Sequence, residues 1–108
     1  ADLTDNARFI ADAPICFAVF GKRDAKYYLE DCCAATMQLL LALQAWGVAS
    51  CWVAGEKKDY AEDVRKLLNV PEEYTLVSLV PAGFPEEIQI AKKKTPEEVT
   101  FFERYEAE

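Results

Sequence analysis

Few residues in this 108-residue chain could carry out proton-transfer or covalent chemistry. Histidine is absent and no two cysteines form a C-x-x-C pair, so zinc-ligand spacing and a Cys-His catalytic pair are both missing. The chain also lacks a G-x-S-x-G elbow, a phosphate loop and a G-x-G-x-x-G turn. We interpret the four cysteines as small buried packing residues in a reducing compartment: Cys16, Cys32, Cys33 and Cys51.

The acidic residues that stand close together begin predicted helices. Glu30 and Asp31 are adjacent, and Asp59, Glu62 and Asp63 lie at the start of a second helix. Carboxylates at helix starts usually cap the helix or favour its dipole, and a paired-carboxylate active site is the less favoured alternative. We therefore predict no catalytic side chain and no metal ligand, so any reactivity has to come from a bound cofactor.

Two segments could hold such a cofactor. The first follows a short predicted strand and consists of Trp52, Val53, Ala54 and Gly55. Its main-chain N–H and C=O groups could bond the edge of a heterocycle, and Gly55 allows a flat ligand to approach closely. The second segment, Lys92 to Lys94, is a run of three cations that could neutralise a phosphate. The alternatives are an ordinary strand-to-loop turn and a solvated charge run, and each is favoured when its segment is considered alone.

Hydrophobic periodicity and turn residues predict three strands and two helices. The helix that ends at Trp46-Gly47 is apolar around its whole circumference, which predicts packing partners on every side. Ile15–Phe20 has the continuous apolar run of a strand buried on both faces. The predicted strands are Ile15–Phe20, Ser50–Ala54 and Thr75–Pro81. The first helix starts at Leu29, or has Asp31 as its N-cap, and ends at Trp46. The second helix is amphipathic and is capped by Asp59, with Glu62 as its capping-box partner. Taken alone, this order suggests a purely parallel βαβαβ sheet.

Composition and charge exclude several classes of function. The hydrophobic content of 52% suits one globular core, and the net charge of −7 disfavours a nucleic-acid partner. No apolar run reaches the roughly 20 residues that cross a bilayer, so we predict no membrane interaction. The opening residues 1–13 are polar and helix-like, without the basic and apolar regions of a signal peptide, so we expect a cytoplasmic protein.

A cluster of large apolar residues stands in the otherwise charged C-terminal segment. Its members are Val99, Phe101, Phe102 and Tyr105. They could pack on the surface of their own domain, or they could form an arm that reaches a second subunit, because exposed apolar patches tend to find partners. The sequence pattern by itself favours neither alternative.

Seven segments in this order and spacing resemble the FMN-dependent nitroreductase family, and together they cover nearly the whole chain. They are Ala13 to Ile15, Tyr27 to Asp31, Ala34 to Ala42, Trp46 to Val53, Leu67 to Glu72, Val80 to Pro85 and Lys92 to Val99. No single segment is diagnostic. Seven in register are hard to produce by chance, and on that basis the chain is identified as a member of the family.

The resemblance implies an α+β fold, a three-layer αβα sandwich with a mixed sheet, in homodimers that bind FMN at the subunit interface. The mixed sheet replaces the parallel sheet suggested by the element order. The Asp31–Trp46 helix would face the core on one flank and the dimer partner on another. The family's flavin-lining stretch corresponds to Trp52, Val53, Ala54 and Gly55, and its phosphate-binding basic residues correspond to Lys92 and Lys94. Residues 96–108 resemble the arm that wraps onto the partner subunit.

One departure from the family pattern concerns the other half of the site. The family begins with an Arg-Arg-Ser-like segment that grips the phosphate and ribityl chain, followed by a Pro-Ser…Asn segment beside the flavin, and these 108 residues match neither. We therefore interpret residues 1–108 as the C-terminal portion of a single nitroreductase-like domain. Three alternatives remain open: a fragment, a chain completed by a separate chain that supplies the N-terminal half, and a reduced relative that has lost part of the site.

The function implied by the resemblance is that of an oxidoreductase. NAD(P)H would reduce bound FMN, which would then reduce a nitroaromatic, quinone or similar acceptor in a ping-pong reaction. Such a mechanism agrees with the absence of acid–base side chains, because the protein would contribute position and electrostatics. The alternatives are a non-catalytic flavin-binding or dimerisation module, a truncated family member, and a specialised branch that carries out reductive dehalogenation or flavin fragmentation.

Overall fold

The computed structural model describes residues 8–86 and 92–105. Residues 1–7, 87–91 and 106–108 lie outside this part, and with them half of the opening segment predicted to be helix-like and the end of the predicted arm. In chain order the elements are a 3₁₀ helix (Arg8–Asp12), β1 (Ile15–Lys22), α1 (Tyr28–Ala45), β2 (Ala49–Ser50), β3 (Val53–Ala54), α2 (Ala61–Leu67), β4 (Tyr74–Gly83) and α3 (Pro96–Val99).

The sheet is built around β4. Strand β1 pairs along one side of β4, and β2 and β3 pair one after the other along its opposite side. All of these pairings are antiparallel, so the purely parallel sheet is wrong for the described residues. Strands β1 and β2 nevertheless run parallel to each other, as a β-α-β crossover requires, and β4 lies between them in a split β-α-β arrangement. The α+β prediction is confirmed.

Strand β4 is the most deeply buried element and exceeds the predicted Thr75–Pro81 at both ends. Its pairing register with β1 shifts between Val19 and Phe20, which lie opposite Ser78 and Leu76 and leave Val77 as an extra residue. A β-bulge of this kind reverses the alternation of side chains along the strand. Leu76 and Leu79 therefore share one face of the sheet, although they are three residues apart.

The two faces of the sheet are covered by different helices. On one face, Leu76 and Leu79 pack with Val64 of α2 in a buried hydrophobic cluster. On the other face, the Ser78 hydroxyl lies 2.8 Å from the hydroxyl of Thr36 in α1, and Thr36 also donates to the Cys32 carbonyl at 2.7 Å. Helix, sheet and helix thus form the three predicted layers, and the buried hydroxyl pair satisfies its own hydrogen bonds.

The predicted strand Ser50–Ala54 is divided into β2 and β3, with a break at Cys51 and Trp52. The Cys51 N–H donates to the carbonyl of Pro81 at 3.4 Å, so Pro81 turns its main chain toward this edge of the sheet. Proline has no N–H to return a bond to Cys51. The ladder is therefore interrupted opposite Pro81 and resumes where Val53 pairs with Leu79.

Helix α1 begins at Tyr28, one residue before the predicted start at Leu29, and its N-cap is Tyr27 without a side-chain cap bond, so the alternative start with Asp31 as N-cap is wrong. Gly47 lies beyond the C-terminus at a φ of +75°, the left-handed conformation that glycine adopts without strain, as predicted. Within the described residues the helix does not have partners on every side, because only Cys32 and Thr36 are buried. Its apolar surface includes Met37 and Leu41, which are 47% and 59% exposed.

Helix α2 begins at Ala61, one residue later than a helix with Asp59 as its N-cap would begin. Its N-cap is Tyr60 without a side-chain cap bond, so the capping box of Asp59 and Glu62 is wrong. The Glu62 carboxylate instead forms ion pairs with Arg23 and Arg65, the second at 3.0 Å. Hydrogen bonds from Arg65 and then Arg23 lower the pKa of Glu62 below its usual value.

We expect Glu62→Gln to destabilise the protein at neutral pH, because the paired carboxylate loses its charge. A lowered folded-state pKa stabilises the native state above the unfolded pKa of about 4.3, and this contribution is lost as the pH falls through the folded pKa. The difference from wild type in urea midpoint should therefore disappear in acid. Asp63→Asn on the same helical turn is the control, and a pH-independent difference for Glu62→Gln would contradict the assignment.

Two burial predictions require correction. Strand β1 is not buried on both faces, since Ile15 and Cys16 are exposed and the next four residues are half-buried. Of the four free cysteines, Cys32 is buried, Cys33 is half-buried, and Cys16 and Cys51 are exposed, so the packing interpretation applies to the pair on α1 alone. No helix in the described ranges combines the length and apolarity needed to cross a bilayer.

Candidate functional site

The segment predicted to line a flat ligand lies at the edge of the sheet formed by β2 and β3. Cys51 and Gly55 direct their N–H groups to carbonyls of β4, and main-chain direction alternates along a strand. The main-chain groups of Trp52 and Ala54 are therefore directed away from β4, along an edge that no described strand covers. Both residues are exposed, whereas Val53 packs against the hydrophobic cluster.

Gly55 anchors this edge to the core. Its N–H donates to the Val77 carbonyl at 3.0 Å, and the N–H of Glu56 donates to the same carbonyl at 3.2 Å. A Cβ at Gly55 would lie 2.7 Å from Cγ of Leu76, so a side chain is excluded by the core. The glycine is thus required by packing against β4, a reason different from the ligand approach that the sequence suggested.

Two tyrosine hydroxyls hold the residues on either side of Gly55. The Tyr60 hydroxyl donates to the Ala54 carbonyl, and the Tyr28 hydroxyl donates to Oε1 of Glu56 at 2.8 Å. The bond to Glu56 raises the pKa of Tyr28 above its usual value, because the ionised phenol would face a carboxylate. Neither contact was predicted, since no local sequence pattern reports which residue of another element a tyrosine hydroxyl will bond.

The segment Trp52–Gly55 lies in the sequence between two residues that line separate surface depressions, Cys51 and Glu56, and its own four residues line neither. One, of about 320 Å³, is lined largely by apolar groups, including Pro14, Cys51 and Phe84. The other, of about 340 Å³, has a polar lining that includes Arg23 and Glu56. Lys57 and Lys58 also line the second depression. These two cations follow Glu56 in the sequence, and because Asp59 and Glu62 line the same depression, its charged side chains are of both signs.

The thiol closest to this edge in sequence has no sign of activation. Partial burial raises the pKa of Cys51 above its usual value, and burial is also the largest cause of the raised pKa of Cys16. A raised pKa disfavours the thiolate, which is the reactive form of cysteine. Among the described residues no group of three or more histidine, cysteine, aspartate or glutamate side chains is arranged to hold a metal ion.

Lys92 and Lys94 lie on an exposed loop that precedes α3. Thr95 caps α3 through its hydroxyl, which accepts from the Glu98 N–H at 3.3 Å, so the loop leads directly into a capped helix. Neither lysine forms an ion pair within the described ranges, and no hydrogen bond joins either one to Trp52–Gly55. The structure therefore keeps the first predicted segment together and leaves the lysines as a separate cationic loop.

Taken together, these features define a three-layer α+β protein in which no described strand covers the outer edge of β3. A sequence profile of the nitroreductase family matches residues 3–84. The chain belongs to the nitroreductase family. This finding confirms the resemblance, and with it the fold class.

Similar proteins extend the comparison. An iodotyrosine deiodinase of Thermotoga neapolitana is 37% identical over 79 residues, which are 73% of this chain and 41% of the deiodinase. A Bacteroides thetaiotaomicron structure, provisionally named NADH dehydrogenase/NAD(P)H nitroreductase, superposes with a TM-score of 0.87 at 27% identity, covering 96% of this chain and 63% of that one. An iodotyrosine deiodinase structure bound to FMN and 3-iodo-L-tyrosine gives a TM-score of 0.67 at 26% identity, over 86% and 48% of the two chains. The chain thus spans about two fifths of that Thermotoga relative's length.

Proposed function

We propose that this chain forms one wall of an FMN site in a flavin-dependent oxidoreductase. The observation that supports the proposal best is the β3 edge: Gly55 is fixed to the core while the main-chain groups of Ala54 are directed outward. A rigid strand edge with outward-facing N–H and C=O groups can bond a heterocycle at low entropic cost. Membership of the nitroreductase family gives the heterocycle its proposed identity.

The residues present fit part of an FMN site. Ala54 has a small, exposed side chain that leaves room for a planar ring beside the main chain. Lys92 and Lys94 carry exposed ammonium groups suited to a phosphate.

When bound, FMN supplies the two-electron chemistry of a ping-pong exchange between NAD(P)H and a nitroaromatic, quinone or similar acceptor. The chain's own residues bind and orient. Trp52 and Ala54 offer main-chain bonds to the ring edge, and the lysine loop neutralises the phosphate. No side chain at the wall is assigned a proton-transfer role, because the thiol nearest to it in sequence, Cys51, has a raised pKa.

We also propose that the protein works as a homodimer. The support is the apolar surface of α1, where Met37 and Leu41 are exposed, together with the exposed aromatic residues of the C-terminal segment. Phe101 and Tyr105 stack edge-to-face at 4.7 Å in that segment, which we propose as the arm of residues 96–108. A dimer mass in sedimentation equilibrium supports this proposal, and a monomer at all concentrations contradicts it.

The flavin proposal is tested by titrating FMN into the 108-residue chain, alone and together with the polypeptide encoded directly upstream of Ala1. We expect quenching of flavin fluorescence and NADH or NADPH oxidation when a quinone is supplied. If neither preparation changes flavin fluorescence, the proposal is wrong. FMN binding without oxidation of either nicotinamide would favour the non-catalytic module.

A second candidate function, reductive dehalogenation, is favoured by the 37% identity to the Thermotoga deiodinase. The same wall would then orient a halogenated aromatic substrate in place of a nitroaromatic. Incubation of the FMN-loaded protein with 3-iodo-L-tyrosine and a reductant distinguishes the two. Iodide release that exceeds the release by free FMN supports dehalogenation, and reduction of nitroaromatics without iodide release excludes it.

A further inference from the structure

The peptide that joins Ala54 to Gly55 is held at both ends. Its N–H, from Gly55, donates to the Val77 carbonyl of the central strand at 3.0 Å. Its C=O, from Ala54, accepts from the Tyr60 hydroxyl. A peptide group is planar, so bonds at its two ends fix the orientation of the whole plane.

Tyr60 is itself fixed by the core. Its side chain is half-buried and packs against the cluster of Val64, Leu76 and Leu79. Its carbonyl accepts from the Val64 N–H at 2.9 Å as the N-cap of α2. The position of α2 on the sheet is therefore transmitted through one aromatic ring to the main chain of β3.

We propose that Tyr60 is a positioning residue for the flavin wall, setting the orientation and the charge of the Ala54 carbonyl. The proposal rests on the proposed function. A hydroxyl that donates to a carbonyl partly neutralises its negative end. Without that donor, the carbonyl would present more negative potential to a bound flavin and would be free to rotate with its peptide.

The effect on stability should be small, because Ala54 is exposed and water can replace the hydroxyl. The effect on a ligand bound at the wall should be larger, because the ligand meets a reoriented and more negative carbonyl. Reduction adds negative charge to a flavin, so a more negative neighbour disfavours the reduced state. These two consequences separate a positioning role from a purely structural one.

The test compares Tyr60→Phe with wild type, using the form of the protein that binds FMN. We expect the FMN dissociation constant to rise about fivefold, the change that follows when the reoriented peptide costs the bound flavin one main-chain hydrogen bond worth ~1 kcal/mol. The midpoint potential of the bound flavin should become more negative, while the melting temperature stays close to that of wild type. Tyr60→Phe keeps the ring that packs on the core, so the fold is retained.

Tyr27→Phe is the matched control, because it removes a hydroxyl from an exposed ring at the N-cap of α1, outside the wall. It should leave the affinity and the potential unchanged. Wild-type affinity and potential in Tyr60→Phe would overturn the positioning role and leave the flavin proposal intact. Unfolding of Tyr60→Phe would overturn it in favour of a structural role. No FMN binding by wild type would overturn both proposals.

Discussion

Replacing Gly55 with alanine is expected to destabilise the protein by about 1–3 kcal/mol, the usual cost of overpacking a core. The new Cβ would lie 2.7 Å from Cγ and 2.9 Å from Cδ2 of Leu76, which is fully buried. It would also approach the main chain of Val77 at 3.2 Å. Because the closest atoms belong to one side chain, the cost should depend on that side chain, and urea unfolding measures it.

A double-mutant cycle tests this dependence. Leu76→Ala alone should lower the free energy of unfolding by about 2–5 kcal/mol. In that background, the destabilisation caused by Gly55→Ala should be smaller by more than about 0.5 kcal/mol. Gly47→Ala is the control: its Cβ meets nothing within 4 Å, and its cost comes from a φ of +75°. That cost, about 1–2 kcal/mol, should not change with Leu76. An equal cost of Gly55→Ala in both backgrounds would contradict the proposed contact.

Replacing both Lys92 and Lys94 with alanine is expected to weaken FMN binding by about ten- to one-hundredfold. Charge-assisted bonds to a phosphate contribute about 1.5–3 kcal/mol each, and partial exposure lowers that value. Both lysines are exposed on a loop, so the melting temperature should change little. Flavin fluorescence titration measures the affinity, and riboflavin, which has no phosphate, should bind wild type and variant equally.

The control for that variant is Lys26→Ala with Lys66→Ala, which removes the same charge from exposed positions outside the proposed site. If the control pair weakens FMN binding equally, the effect is one of net charge and the phosphate assignment is wrong. Loss of folding in the Lys92 and Lys94 variant would instead indicate a structural role for the loop.

The sequence predicted the elements well where a single local signal was strong. The apolar run from Thr75 to Pro81 became the central strand β4, and Gly47 ended α1 in the left-handed conformation. Caps were predicted less well. Asp31 and Asp59 both have the chemistry of an N-cap, but each helix begins at a tyrosine cap, and Glu62 is used by two arginines. Arg65 lies on the same helix as Glu62, but Arg23 belongs to a distant part of the sequence, and a local pattern does not contain that partner.

The sequence pattern also did not predict the order of the strands in the sheet. A strand, a helix and a strand in succession predict two parallel strands, which β1 and β2 are, but not that β4 inserts between them. Similarly, nothing local indicates the bulge at Val77 that turns Leu76 and Leu79 to the same face. Insertion and register depend on which pairing buries the most apolar surface across the whole chain.

For the candidate site, the sequence by itself determined which segment is presented: a short apolar strand that ends in glycine, and a separate run of lysines. The resemblance gave that segment a family, and the family is confirmed. Only the tertiary structure decided what each residue does there. Leu76 requires the glycine, Pro81 interrupts the edge, and Tyr60 fixes the Ala54 carbonyl. Each of these contacts joins residues on different elements, so it exists only once the chain has folded and the sheet has fixed its register.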